Sequence, residues 1–247
     1  MLVLSISDLH IDNGDNFGAF GWNASDFINT LNRVIDHYSV DQVVLNGDIL
    51  DLYKYTYHEV SQTNSKLINY LQSRKCIFIR GNHDLLSPVS QDHHLIINSN
   101  GNKIYFEHGH NADFLNGTRF GRTLGKFGFS VLKRLIHFPK VERFYFRLTE
   151  YTDEVKRIPR KYNTYKYLKY ALKLLHKYDM VIMGHTHKLE SHKMYYLNKK
   201  KIYLNSGSCS LGRFQAIILD TESLDFEIIK ISKKKKIGRS DLPVFKK

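Results

Sequence analysis

The chain has 247 residues, of which 42% are hydrophobic, 25% charged and 13% aromatic. An ordinary domain takes roughly 100–200 residues, so one large domain or a core with an insertion is expected. The aromatic content excludes a mainly disordered chain, and no apolar run approaches the roughly 18–20 residues of a membrane span.

Two cysteines, Cys76 and Cys209, cannot build a disulfide framework and point to a reducing compartment, the cytoplasm. The formal net charge is +13 and its placement is uneven. Residues 111–179 hold 16 basic and 6 acidic side chains, and residues 232–247 hold 7 and 1. The rest carries 14 basic against 17 acidic, so a mildly acidic body bears a basic middle segment and a basic tail. That asymmetry points to an anionic partner, whether a phosphorylated small molecule, a nucleic acid or an anionic membrane surface, unless it is only a solvated face.

The N-terminal run MLVLSISDLH has no basic flank before it, so it reads as a buried strand over Leu2–Ser7 rather than a signal peptide. Ala24–Tyr38 follows as a helix, with Phe27, Ile28, Leu31, Val34 and Ile35 on one face and Ser25 or Asn23 as its cap. Gln42–Asn46 reads as a strand, His58–Leu71 as a helix and Lys75–Arg80 as a third strand. This alternation implies a largely parallel sheet with helices on its faces. Strands near His94–Asn98 and Lys103–Phe106 come next. Residues 112–178 then show helical periodicity, broken at Pro139 and Pro159 into about three helices. Strand signals return at Met180–Met183, His192–Tyr196, Lys201–Asn205, Phe214–Leu219 and Phe226–Ile231. The expected organisation is an α/β domain over 1–231, a basic helical cap inserted at 112–178, and a flexible tail at 232–247.

Five polar clusters sit at the ends of predicted strands: Ser7-Asp8-Leu9-His10, Gly47-Asp48, Gly81-Asn82-His83-Asp84, Glu107-His108-Gly109-His110 and Gly184-His185-Thr186-His187. The C-terminal edge of an open α/β sheet is where ligands gather. In extended backbone, Asp8 with His10 and His185 with His187 would each aim two donors to one side. Carboxylate, imidazole and amide oxygen together suit a divalent metal such as Mn²⁺, Fe²⁺ or Zn²⁺. Seven donors exceed one tetrahedral ion and suit two ions sharing a carboxylate, an arrangement that clamps a phosphoryl group. An isolated histidine is more often a satisfied core residue, and His37, His58, His93, His94, His137, His176 and His192 are read so.

The ordered set DLH, GD, GNHD, HGH and GHTH resembles the calcineurin-like metallophosphoesterases over most of residues 1–220. That resemblance implies a metallophosphoesterase sandwich of two mixed sheets flanked by helices. It implies a first metal on Asp8, His10 and His187, a second on Asn82, His108 and His185, and Asp48 bridging them. A hydroxide between the metals would attack phosphorus, His83 would stabilise or protonate the leaving oxygen, and Asp84 would orient His83. His110 either lines the site or satisfies its turn. Asp12, Asp15 and Asp51 read as loop carboxylates, Cys209 as a residue that can approach the cleft, and Asn205-Ser206-Gly207-Ser208 as a supporting turn.

In Lys161–Tyr178, Tyr162, Tyr165, Leu168, Leu172 and Leu175 read as a packing face. Either packing is the segment's whole role, or Lys161, Lys166, Lys169, Lys173 and Lys177 also form a basic face over the cleft mouth, with Lys166, Lys169 and Lys173 as substrate contacts that grip phosphate or stack with bases. The inserted helices resemble those of the UDP-2,3-diacylglucosamine pyrophosphohydrolases of lipid A synthesis, which usually have Arg where this chain has His83. GNHD is the wider pattern of phosphomonoesterases and phosphodiesterases. The expected substrates are therefore a nucleotide, a nucleic acid or a nucleotide-sugar lipid. A non-catalytic metal-bound scaffold and a nucleic-acid-binding module are the alternatives from other classes.

Overall fold

The computed structural model describes residues 1–15, 18–84, 90–113 and 161–232, with isolated positions at 123, 127, 128 and 131. Two five-stranded mixed sheets face each other. The first is assembled from β1 (Leu2–Ile6), β2 (Gln42–Asn46), β3 (Ile77–Ile79), β9 (Arg213–Asp220) and β10 (Phe226–Ser232), in the order β10-β9-β1-β2-β3. Strands β1, β2 and β3 are parallel, in a register that sets Val3 against Gln42 and Ile6 against Leu45. Strands β9 and β10 add antiparallel. The second sheet takes β4 (His93–Ile97), β5 (Lys103–Glu107), β6 (Met180–Met183), β7 (Leu189–Tyr196) and β8 (Lys199–Ser206), in the order β4-β5-β6-β8-β7. There β5, β6 and β8 are parallel, flanked by antiparallel β4 and β7.

Alternation of side chains along each strand divides the apolar residues among three layers. Val3, Val44, Ile79, Ile104, Phe106, Ile182, Leu204 and Ile217 point between the sheets. Leu4, Ile6, Leu45 and Ile218 point the other way, onto α1 (Ala24–Tyr38), α2 (Tyr57–Thr63) and α3 (Ser65–Ser73). Tyr105, Val181, Met183 and Tyr203 cover the far face of the second sheet, packed on Tyr167, Ala171 and Leu175 of α4 (Lys161–Leu175). The result is a helix–sheet–sheet–helix sandwich.

Helix α1 has the expected bounds and is capped by Asn23, whose side chain accepts from the Ser25 amide. The helix expected over His58–Leu71 is two helices. Thr56 and Glu59 form a capping box at the start of α2, and the break falls at Asn64. The buried Asn64 amide donates to the Asp12 carbonyl at 2.6 Å, committing its side chain to a neighbouring loop instead of a continuous helix.

Helix α4 is rotated from the expected packing face. Tyr165 is 68% exposed and Leu172 39%, while Tyr167 and Ala171 are buried. Leu168 and Leu175 do pack on the sheet, so the buried stripe lies one to two residues round from the expected one. The expected helix breaks at Pro139 and Pro159 and the tail beyond residue 232 lie outside the described residues. Among the described residues, no helix is long and apolar enough to cross a membrane.

Candidate metal centre

All five polar clusters lie at C-terminal strand ends: after β1, β2 and β3 in the first sheet, and after β5 and β6 in the second. Packing the sheets face to face brings these ends together. Three groups of donors form, Asp8 with His10 and His187, Asp48 with His108 and His185, and His10 with Asp48 and His83. Within each group one ligand atom per residue lies within 4.8 Å of the others.

The backbone that aims these donors is not extended. Asp8, His10, Asp48, His185 and His187 have φ of 53°, 51°, 53°, 70° and 57°. Non-glycine residues seldom adopt this left-handed region, and clusters of them mark functional sites. The expectation of extended i, i+2 pairs is corrected accordingly: the paired donors converge through tight turns. Gly47 (φ 88°) makes one such turn, and a Cβ there would lie 2.3 Å from His108 Nδ1. A Cβ on Gly184 would likewise meet Ser7 Oγ at 2.6 Å and Asp8 Oδ2 at 2.7 Å.

In the first group His187 Nε2 stands 3.2 Å from Asp8 Oδ1 and 3.2 Å from His10 Nε2. In the second, Asp48 Oδ2 stands 3.1 Å from His108 Nε2. The same oxygen is 4.0 Å from His10 Nε2, so Asp48 lies between the two groups. Its other oxygen accepts from the His83 amide at 2.8 Å. Asp8 Oδ2 accepts from the His185 amide at 3.0 Å, tying the two sheets together at the site.

The donor set fits a pair of divalent ions on a structural observation. Asn82 Oδ1 is buried and, among the described residues, has no hydrogen-bond partner, while the buried Asp8 Oδ1 and His108 Nε2 meet His187 and Asp48 respectively. Orphaned buried donors and acceptors are costly unless another group satisfies them. Burial raises the Asp48 carboxyl, but the His108 and His83 rings outweigh it and hold it well below the usual range. Burial resists charge on His108 as well, and Asp48 and Asp8 override it, pushing that imidazole up to about 10. These carboxylates are thus ionised and already demand neighbouring positive charge. A divalent ion would replace the proton on imidazole.

His83 is tethered from the opposite side. Its Nδ1 is 2.9 Å from Asp51 Oδ1, and Lys54 Nζ is 3.1 Å from Asp51 Oδ2. Burial lowers the His83 imidazole, but the carboxylates of Asp48 and Asp51 win and hold it above its ordinary value. The Tyr53 ring lies 4.8 Å from the His83 ring.

Two expectations are corrected here. Asp84 does not orient His83: its carboxylate accepts the amides of Ile49 at 2.7 Å and Gly81 at 2.5 Å, bracing the turns after β2 and β3. Asp51, read as a loop carboxylate, takes the orienting position instead. The other two loop carboxylates keep their expected character, with Asp12 accepting from Gly14 and Phe20 and Asp15 from Tyr55.

Asp113 went unrecognised in the sequence. Its Oδ2 stands 3.6 Å from His185 Nε2 and accepts from Tyr167 OH at 2.9 Å, and its Oδ1 pairs with Lys166. The approach of His185, with Lys166 and Tyr167, holds its carboxyl below the usual range. Helix α4 therefore reaches the centre through Lys166 and Tyr167. Helix α4 and β6 are successive and packed together, and β6 runs towards the donor groups, so α4 runs away from them. Lys169 and Lys173 lie about 4.5 and 10.5 Å farther along its axis than Lys166, at about 1.5 Å per residue. Of the three lysines expected at the mouth, Lys166 is beside the site and already paired, while Lys173 heads for the opposite end.

His110 is buried, its ring 5.6 Å from that of His108, and it joins none of the three donor groups. Cys209 is buried in the helix-side core and its thiol, raised to about 12 by burial, donates to the Gln215 carbonyl. The turn after β8 does support the site: Asn205 donates to the Gly184 carbonyl at 2.7 Å and Ser208 to the Asp8 carbonyl at 3.1 Å.

The chain belongs to the calcineurin-like phosphoesterase family, whose model matches residues 1–189. No curated protein matches the sequence. Among solved structures it is similar to an archaeal phosphodiesterase, with 17% identity over 94% of this chain and 100% of that one, at a TM-score of 0.44. It is also similar to a dimetal phosphatase from Danio rerio, with 10% identity over 94% and 99% of the two chains, at a TM-score of 0.49. Wild-type Vps29 from Entamoeba histolytica, complexed with zinc, shares 17% identity over 94% and 99%, at a TM-score of 0.45.

Proposed function

We propose that this protein is a two-metal phosphohydrolase that cleaves a phosphate ester or pyrophosphate bond in a nucleotide, a nucleic acid or a nucleotide-sugar lipid. The observation that carries this is the position of Asp48 Oδ2 between two donor groups, with the buried Asn82 Oδ1, one residue before His83, left without a partner among the described residues. Asp8, His10 and His187 would hold one ion, Asn82, His108 and His185 the other, and Asp48 both. When bound, such a pair supplies an acidified water for attack at phosphorus and neutralises the phosphoryl oxygens. Carboxylate and imidazole donors suit Mn²⁺, with Fe²⁺ and Zn²⁺ as alternatives.

The chain's own residues supply the rest. With Nδ1 of His83 bonded to Asp51, Nε2 is the ring atom that can give a proton to the departing oxygen as the phosphorus–oxygen bond breaks. The Asp51–Lys54 pair fixes the ring's rotation. Asp113 Oδ2, 3.6 Å from His185 Nε2, would steady that ring as a ligand, the support that metal-bound histidines usually have. Keeping His83 tethered at the donor cluster is what catalysis needs, and a metal-bound scaffold has no use for it.

A metal-reconstituted panel tests the reading. It compares p-nitrophenyl phosphate, bis-p-nitrophenyl phosphate, UDP-sugar lipids, cyclic nucleotides and single-stranded DNA. Mn²⁺-dependent turnover of at least one, lost on chelation, is expected. No turnover of any substrate with Mn²⁺, Fe²⁺ or Zn²⁺ would favour the scaffold.

A further inference from the structure

The end of the second sheet remote from the metals carries a surface that the phosphoesterase reading leaves unused. Strands β7 and β8 join there through Leu197 and Asn198, both in left-handed backbone at φ 48° and 62°. Two-residue hairpin turns of this hand favour Asn and Gly. Here the first position is leucine, and it is 80% exposed. Tyr195 beside it is 78% exposed and Tyr196 44%. An apolar side chain at the apex in left-handed backbone costs both strain and hydration.

Positive charge surrounds this apex. Lys199 and Lys200 follow the turn, and Lys193 precedes Tyr195 by two residues on the same face, its Nζ 4.8 Å from the Phe226 ring. The His176 ring meets Tyr196 edge-on at 5.0 Å. That contact brings the end of α4, with exposed Lys173 and Lys177, to the same place. Asp179, at the foot of β6, is paired with Lys201 at 3.0 Å. Residues 191–203 include no acidic side chain.

An exposed leucine preceded by two tyrosines, with lysines on both sides of the turn, matches the layers of an anionic bilayer. Lysines meet lipid phosphates, tyrosines sit at headgroup level, and the leucine enters the acyl boundary. A single-stranded nucleic acid would use the tyrosines by stacking, but gives no reason to expose leucine at the apex. We propose that the β7–β8 hairpin docks this protein on an anionic lipid surface. The eight residues of β8 span about 26 Å at roughly 3.3 Å each. Docked this way, the metal cleft faces the water, which favours the nucleotide and nucleic-acid substrates of the proposed function over the nucleotide-sugar lipid.

The test uses the full chain with phosphatidylcholine vesicles, with and without phosphatidylglycerol. Flotation only with the anionic vesicles is expected. Lys199→Gln with Lys200→Gln should weaken partitioning about thirtyfold, and Leu197→Ser about tenfold. Neither variant should change hydrolysis of p-nitrophenyl phosphate. In a Leu197→Trp variant, the added emission should shift to the blue on anionic vesicles. If Leu197→Ser floats like the wild type, or the Leu197→Trp emission stays unshifted, the docking element is not this hairpin. If the hairpin variants lose single-stranded DNA binding while vesicle binding is unchanged, the partner is nucleic acid and the proposal fails.

Discussion

The two donor groups at the cleft are built to different degrees of rigidity. The group on Asp48 is closed in: the His108 side chain is fully buried and that of His185 is 9% exposed. His108 Nδ1 is 3.0 Å from the Asn46 carbonyl, and His185 is backed by Asp113, which α4 holds through Lys166 and Tyr167. The group on Asp8 opens towards solvent, with the His187 side chain 29% exposed. A ligand locked by an outer partner loses less freedom on binding, so the inner ion should be held tighter and exchange more slowly than the outer one. Asp48 Oδ2 lies 3.1 Å from His108 Nε2 and 4.0 Å from His10 Nε2, so under the two-metal proposal it is where the two groups would become one site.

The largest effects should come from removing one ligand of each group. His108→Ala should cost the inner ion and abolish turnover, with no rescue by excess Mn²⁺. His187→Ala should lose the outer ion yet regain part of its activity as Mn²⁺ is raised. Metal content by elemental analysis, read beside activity, separates the two, and equal rescue would erase the distinction between inner and outer ions.

Next in size is His83→Ala, expected to lower turnover about 10²–10⁴-fold with both ions retained. The loss should shrink for substrates with good leaving groups, since they need less protonation. Asp51→Asn should reproduce part of it. Because the Asp51 carboxylate raises the His83 imidazole, removing it lets that proton leave at lower pH, and the alkaline limb of the pH–rate profile should move down. An unmoved limb would deny His83 its role as the acid.

Asp113→Ala should be milder, weakening binding of the inner ion about 10–100-fold while the outer ion is unaffected. Titration calorimetry with Mn²⁺ resolves the two sites. Asp113→Asn should restore part of the affinity if the role is to position His185, whereas a change in both sites would mean a general loosening of the cleft.

The parts of this architecture legible in the sequence were those fixed by local pattern. Strand alternation and the 3.6-residue stripe of α1 place β1, β2, β6 and α1 within a residue of their ends. The donor clusters declare themselves because each ends a strand, and four of the five carry a glycine there. What escaped depends on contacts far apart in the chain. Asp113 acquires meaning only from Lys166 and Tyr167, more than fifty residues away on α4. Asp51 was nearer to recognition, three residues beyond Asp48, but its bond to His83 crosses from one strand end to the next. The rotation of α4 was missed because tyrosine and leucine lie on both of its faces, so periodicity alone does not say which stripe the sheet covers.

The most direct test of the shared centre is anomalous diffraction from crystals loaded with Mn²⁺, paired with the same measurement on Asp48→Asn. The wild type should show two peaks about 3.5 Å apart, flanking Asp48, with the variant losing at least one and all turnover with it. A single peak bound by four protein ligands, or two peaks with neither touching Asp48, would contradict the two-metal reading.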